Sequence, residues 1–509
     1  MNKLRITEHP MLRCMMVLLV SFGTGTAAPS WPVPAAYDTL PATCRRHDAN
    51  RNAAVIPFVL RKIPLGNAAQ YSRTGGHPNT CMEFSPDSRL CAIGTMQGHL
   101  MLVEVYTEKI LWDKKVAEGM VKRIAFSSDG SRIHFGEQSV DGFIYTADTE
   151  SGTILWKYRL ADDLGKGTPI RKDDPHSIYD QPGCYQLVSI DNGDIVVLGI
   201  HSYGDWRDIS KRVCLSRIYR LSSGGEVKWA FPPDRPMFYT VIYLDCDREG
   251  KKVALLTRSE GGNKPENYEY HNGTLYVLDG ATGKATGHHT FTPLTPWFTS
   301  VGFWQSVSVS TGGTHASIGT QDGRSFIFDL EKAVPVATFN FGAPVMISDV
   351  PVSAYASYTK ISSDNNVYFE TSNTSVIAAN MSRTIVAPPG PHPNANMINV
   401  VALDGTIRWR YRSSFSCENF WLSSDGRWMM TTAMANKGRT GHEAGALLFD
   451  THRDGGGSSK FVYFYPVEGK AFFHAAMAPD GSAFAIAEMP FKHPETGKLV
   501  GTYQVHIVR

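Results

Sequence analysis

Histidines and cysteines are the side chains here best suited to metal or nucleophilic chemistry, and their spacing argues against most of it. No Cys-x-x-Cys or Cys-x-x-Cys-His occurs, which removes zinc ribbons and covalent haem attachment. His288 and His289 are adjacent, so in a strand they point to opposite faces and do not share one ion. His392 lies in Pro-Pro-Gly-Pro-His-Pro, an extended loop. His474 precedes an expected inner strand, and we carry it as a binding candidate. The acid pairs Asp162-Asp163, Asp173-Asp174 and Asp245-Cys-Asp247 suit solvated turns, with a structural calcium ion as the alternative. No Gly-x-Ser-x-Gly, P-loop or His-Glu-x-x-His is present, so no catalytic residue and no metal ligand is assigned.

Aromatic side chains are the remaining candidates, because exposed Trp and Tyr anchor partner contacts. Trp206 lies on a polar insert, Trp297-Phe298 follow Pro296, and Phe420-Trp421 open an inner strand. Cys81 and Cys91 flank an expected turn at Pro86-Asp87, so they are candidates for a cross-strand disulfide, or else two buried thiols on neighbouring strands. The 50 Lys+Arg against 48 Asp+Glu leave a formal charge of +2 and no footprint for nucleic acid.

Residues 1–27 combine a basic start (Lys3, Arg5, Arg13), a short apolar run ending at Phe22 and a small-residue exit at Gly25 and Ala27. That is the pattern of a secretory signal, and its apolar run is too short for the roughly twenty residues a membrane span needs. A secreted or periplasmic protein that does not span a membrane is expected, with a Pro-rich leader over 28–53.

The elements that must position these residues are written as a repeat. Phe84-Ser-Pro-Asp-Ser-Arg-Leu returns as Phe126-Ser-Ser-Asp-Gly-Ser-Arg, Leu422-Ser-Ser-Asp-Gly-Arg-Trp and Met477-Ala-Pro-Asp-Gly-Ser-Ala, with weaker copies at Ile190, Cys246, Ser310 and Ile361. Each is an apolar strand end, an Asp/Gly turn and a new strand. Interleaved with it, Thr149-Glu-Ser-Gly-Thr-Ile-Leu-Trp156 has partners ending at Trp112, Trp229 and Trp409, where we expect the indoles to pack between units. The unit therefore reads strand, Asp/Gly turn, strand, loop, strand, Gly turn, strand. Units fall near 76–119, 120–165, 181–236, 237–300, 301–347, 348–417 and 418–470, after which the chain supplies three strands but no fourth. Residues 55–63 are expected to complete that last unit, pairing the two ends of the domain.

The Gly-x-x-Leu-Trp turn resembles the tryptophan-docking repeat of pyrroloquinoline-quinone propellers, and the Phe-Ser-Pro-Asp-Gly turn resembles WD-repeat propellers. The resemblance implies an all-β fold over 54–509: one eight-bladed β-propeller of four-stranded antiparallel blades, with seven blades as the alternative. It also raises an oxidoreductase using a quinone or metal cofactor at the channel mouth. The vicinal cysteines typical of the alcohol-dehydrogenase branch are missing, however, and its calcium ligands find no match, so no cofactor is predicted, with pyrroloquinoline quinone or calcium as alternatives. The reading favoured is an exported, non-catalytic subunit that binds other proteins, with an envelope redox assembly as its expected setting by family analogy; a small-ligand or glycan sensor is a third option. Repeated strands are expected to report packing, and specificity to lie in the inserts 161–182, 201–212, 258–272, 380–397 and 435–444. Trimming 380–397 is expected to leave the fold intact and weaken association.

Overall fold

The computed structural model describes residues 60–64 and 81–509, apart from 108, 172–174, 205–210, 239, 259–269, 299–300, 305, 377–388, 414–415, 435–443 and 493–495. Among the described residues every strand pairing is antiparallel, and most sheets are four-stranded ladders in chain order; one ladder has a short fifth strand, Val345–Ile347, and a two-stranded hairpin pairs Phe491–Lys492 with Leu499–Val500. The eight-stranded sheet is two such ladders joined by the single pair Gly183–Gln138. The chain is an all-β propeller. The helical pieces Ala161–Leu164, Pro175–Asp180 and Gly457–Lys460 are one or two turns long. No helix among the described residues is long and apolar enough to cross a membrane.

Burial explains the order of strands within a unit. Third strands such as His99–Glu104 and Phe143–Asp148 are buried along their central residues and mostly apolar there, as a strand covered on both faces requires. Fourth strands such as Lys109–Lys115 and Val334–Phe339 are largely exposed and form the rim. First strands neighbour one another: Cys81–Phe84 beside Met120–Phe126, then Gly183–Ser189, Thr240–Cys246, Val307–Val309, Val350–Ile361, Ser416–Leu422 and Lys470–Met477, which returns to Cys81–Phe84. They surround an axis.

The turns between first and second strands share one device. Ser85, Ser127 and Ser423 each donate a 2.6 Å hydrogen bond to the Asp two residues on (Asp87, Asp129, Asp425). The same Ser oxygens accept the N–H groups of Leu90, Arg132 and Trp428 at 2.9–3.0 Å. These side chains close the turn locally, which is why the repeat was readable. The turns also bond to one another around one end of the ring. Ser128 Oγ donates to Asp191 O at 3.1 Å, Asp191 N–H to Arg248 O at 3.0 Å, and Ser363 Oγ to Ser424 O at 2.5 Å. Ser424 N–H donates to Pro479 O at 2.6 Å, and Asp480 N–H to Ser88 Oγ at 3.0 Å, joining the last unit to the first.

Three indoles lock successive units at their rims. Nε1–H of Trp112, Trp156 and Trp229 donates to the carbonyls of Thr149 (3.0 Å), Ser223 (3.0 Å) and Gly280 (2.7 Å) in the next unit. Each ring lies on the glycine of that unit's second turn. A Cβ on Gly225, whose φ is +89°, would stand 2.7 Å from Trp156.

Leu60–Pro64 pairs with Gln504–Val508 on the outer edge of the last unit, from Leu60 opposite Val508 to Pro64 opposite Gln504. Strand-forming residues near both ends of the domain therefore meet in one sheet, and an open edge disappears. Beneath that strand lies a buried polar cluster. Glu488 Oε2 accepts from His506 Nε2 at 2.6 Å and Gln504 Nε2 at 2.7 Å, Glu488 Oε1 accepts from Gly469 N–H at 2.9 Å, and Tyr465 OH meets His506 Nδ1 at 2.8 Å.

Candidate functional site

The strand order assigns different work to the two ends of the ring. In a ladder of four antiparallel strands, the first-to-second and third-to-fourth turns fall at one end. The second-to-third loops and the links between units fall at the other. The strand ends that flank 204–212, 259–273, 377–396 and 435–443 are second-to-third ends, and 160–182 is a link between units. All five inserts therefore leave from one face. The opposite face carries tight turns, apart from 451–460, which includes the short helix Gly457–Lys460.

Along the axis, the first strands carry charges that the sequence reading did not bring together; Asp245, expected in a solvated turn, lies in the strand Thr240–Cys246. Glu83, Asp245 and Lys360 each stand two residues before the Ser or Asp that opens the following turn (Ser85, Asp247, Ser362), so they share one level. They come from units well separated around the ring yet feel one another electrostatically, which places them facing inward. Burial raises the Glu83 carboxyl to about 7 against the opposing pull of Phe84 N–H and Lys360. Burial works against the Lys360 ammonium, but Asp245, Tyr243 and Glu83 hold its pKa above the ordinary lysine value. Asp245 accepts Val309 N–H at 2.8 Å and Cys246 N–H at 3.0 Å.

A second level lies nearer the insert face. Lys122 Nζ donates to Gln138 Oε1 at 2.7 Å and sits 3.4 Å above the Tyr185 ring, while Arg123 Nε donates to Gln186 Oε1 at 3.2 Å. Burial and the neighbouring Arg123 depress the Lys122 pKa well below the usual lysine range. On another part of the wall, Trp304 Nε1–H donates to Tyr358 OH at 2.9 Å, and Tyr358 in turn bonds Glu418. Burial raises the Glu418 carboxyl to about 7. Glu370, 0 % exposed, has no hydrogen-bond partner for either carboxyl oxygen, and burial followed by Glu418 pushes its pKa well up. Burying a carboxyl without a partner favours its neutral form.

The candidates named from sequence are scattered rather than convergent. Trp206 lies outside the described residues, as do the leader, residues 55–59 of the expected closing strand and Asp173-Asp174. Trp297 is half-buried in a turn closed by Leu294 O, and Phe298 is buried beside it. Phe420, 2 % exposed, packs with Tyr368, Trp409 and Met429 between units, and Trp421 is half-buried against the next unit's core. His474 falls on the inner strand Lys470–Met477, between the register shifts at Ala471 and Ala475. His288 and His289 do point apart, one stacking on Tyr276 and the other against Phe291 and Phe328. Asp247 takes up backbone N–H groups, and Asp162 and Asp163 pair with Arg159 and Arg217. Among the described residues, no three His, Cys, Asp or Glu side chains are arranged to hold a metal ion.

The Cys81–Cys91 disulfide is corrected by the register. The turn is closed by Ser85 N–H to Leu90 O, so Cys91 lies opposite Phe84 and Cys81 opposite Gly94. The two thiols therefore fall on opposite faces of the sheet, each free and buried in a different inter-unit core. Burial raises Cys81 to about 12, as an inert structural thiol requires.

The 380–397 insert needs a narrower boundary than the sequence suggested. His392 is fully buried, with Nε2 bonded to Ala343 O at 2.9 Å, and Asn394 Nδ2 donates to Phe341 O at 2.8 Å. Met397 already begins the strand Met397–Ala402. Residues 389–397 hold the unit together.

No family model matches the chain, and no curated protein matches it either. Among solved structures it is similar to one described as "Structure of Dos1 propeller", at 12% identity and a TM-score of 0.44, covering 70% of this chain and 74% of that one. The assignment of fold rests on the strand pairing and ring contacts above.

Proposed function

We propose that this chain is a non-catalytic, protein-binding scaffold whose eight blades present one loop-bearing face to other subunits. The observation that carries the reading is the convergence of the five inserts on that face, while the opposite face is closed largely by turns bonded to each other. A rigid ring with variable loops on one side suits recognition, because the scaffold fixes where the loops begin and end. Export is part of the proposal and rests on the pattern of residues 1–27, which lie outside the described residues. Kinship with quinoprotein-like propellers is supported by the three indoles docked on turn glycines.

A second reading, a small ligand or cofactor held at the axis, draws support from the inward-facing Glu83, Asp245, Lys360 and Glu418. Native purification separates the two. Mass spectrometry of copurifying chains, with ultraviolet–visible and metal analysis, should find a stoichiometric protein partner and no chromophore or metal. A stoichiometric quinone or metal on an isolated chain overturns the scaffold reading. As a second test, trimming 380–388 while keeping 389–397 should preserve the melting temperature and weaken partner binding.

A further inference from the structure

His201 sits near the end of the strand Ile195–Tyr203, on the insert face, with 3 % of its surface exposed. Both ring nitrogens face main-chain carbonyls of the 161–182 insert. Nδ1 is 2.8 Å from Leu164 O, and Nε2 is 3.3 Å from Asp180 O. A carbonyl oxygen only accepts, and a neutral imidazole donates from one nitrogen only. The arrangement is therefore complete only when the ring carries two protons. In the neutral ring one nitrogen presents a lone pair to a carbonyl lone pair, replacing a bond by a repulsion. Leu164 O has the shorter contact, whereas Asp180 O also accepts Thr168 N–H at 3.0 Å. The Asp180 side of the insert is thus the one released.

We propose that protonated His201 is a pH-dependent clasp that holds residues 175–180 against the ring and lets them go when the imidazole loses its proton. The carboxylates around it are engaged elsewhere. Asp162 pairs with Arg159, Asp163 with Arg217 Nη1 at 3.0 Å, and Asp180 Oδ2 with Arg171 Nη2 at 3.2 Å. On the adjoining strands, Cys214 Sγ meets Ser202 Oγ at 3.2 Å, the Tyr185 hydroxyl accepts from Gln138 Nε2 at 3.3 Å, and Asp245 accepts backbone N–H groups. Lys122 and Lys166 face Gln138 and Asp141, Arg123 faces Gln186, and the Tyr203 ring lies 5.1 Å from the imidazole. No carboxylate is hydrogen-bonded to the ring, so its polar partners are the two carbonyls. The clasp is engaged when both ring nitrogens carry a proton and lost when one of them is bare. This is a property of the chain alone and stands whether or not the insert face docks a partner.

Hydrogen exchange of the full chain tests it, with labelling times corrected for the intrinsic effect of pH. Between about pH 5.5 and about pH 8.5, peptides spanning 175–182 should lose protection by about tenfold, while peptides from 195–200 stay protected. In His201→Gln, which cannot be protonated, that pH dependence should vanish; in His176→Gln it should persist. A flat profile in the unaltered chain overturns the proposal without any variant. So does a pH dependence that survives in His201→Gln.

Discussion

The Glu488 carboxylate and the His506 imidazole meet at 2.6 Å, both almost fully buried, one strand in from the edge where Leu60–Pro64 is paired. Burial alone would raise the Glu488 pKa, but bonds from His506, Gln504 and Gly469 N–H hold it below the ordinary glutamate value. A carboxyl depressed on folding contributes stability above its unfolded pKa of about 4.3, and that contribution is lost as pH falls through the folded value. Glu488→Gln should therefore lower the melting temperature at pH 7 and have a much smaller effect near pH 3. Thermal melts of both proteins across that range check it.

Glu370 has the opposite sign. Its folded pKa lies above the unfolded one, so the folded state binds more protons and stability falls as pH rises above about 4.3. Glu370→Gln keeps the shape of the neutral acid. It should raise the melting temperature at pH 8 and leave it nearly unchanged at pH 4. A variant less stable at pH 8 would mean that the carboxylate is wanted ionised.

Trp156 joins two units through one hydrogen bond and the face of Gly225. Trp156→Ala should cost about 2–4 kcal/mol in urea unfolding, from lost burial and one lost bond to the Ser223 carbonyl, which keeps its bond from Arg132 Nη1 at 2.6 Å. Gly225→Ala should also destabilise, because the residue has φ of +89° and its Cβ would enter the indole.

Across the axis, Lys360 helps keep the Glu83 carboxyl as low as about 7. Lys360→Met should raise the Glu83 titration midpoint, read from carboxyl carbon resonances in glutamate-labelled protein. An unchanged midpoint would show that the two groups do not face one another.

The fold was legible where its signals are local. Ser85 and Asp87, or Gly152 and Trp156, are a few residues apart, so turn and docking residue can be read in one glance along the chain. The disulfide expectation failed on a local detail: the turn closes at Ser85–Leu90 rather than around Pro86-Asp87, which shifts the register and sends Cys81 and Cys91 to opposite faces. The axial charges were missed for another reason. Glu83, Asp245 and Lys360 are far apart in sequence and become neighbours only once the ring is assembled. Aligning the units on their turns would have revealed them, since each occupies the second position before the turn-opening residue. Glu370 carried no such signal, for a glutamate in a strand reads as surface until the next unit covers it.

Pairing Leu60–Pro64 with Gln504–Val508 also sets the order in which the molecule can be finished. The other units have their strands consecutive in the chain and can form as soon as these emerge. The last one needs Leu60–Pro64, which precedes all the other described strands, and Gln504–Val508, which follows them, the longest loop closure among the described strands. Until that step the nascent ring is an open crescent with bare strand edges at its two ends. A cell making this protein must keep those edges from other chains until both strands have been made and paired.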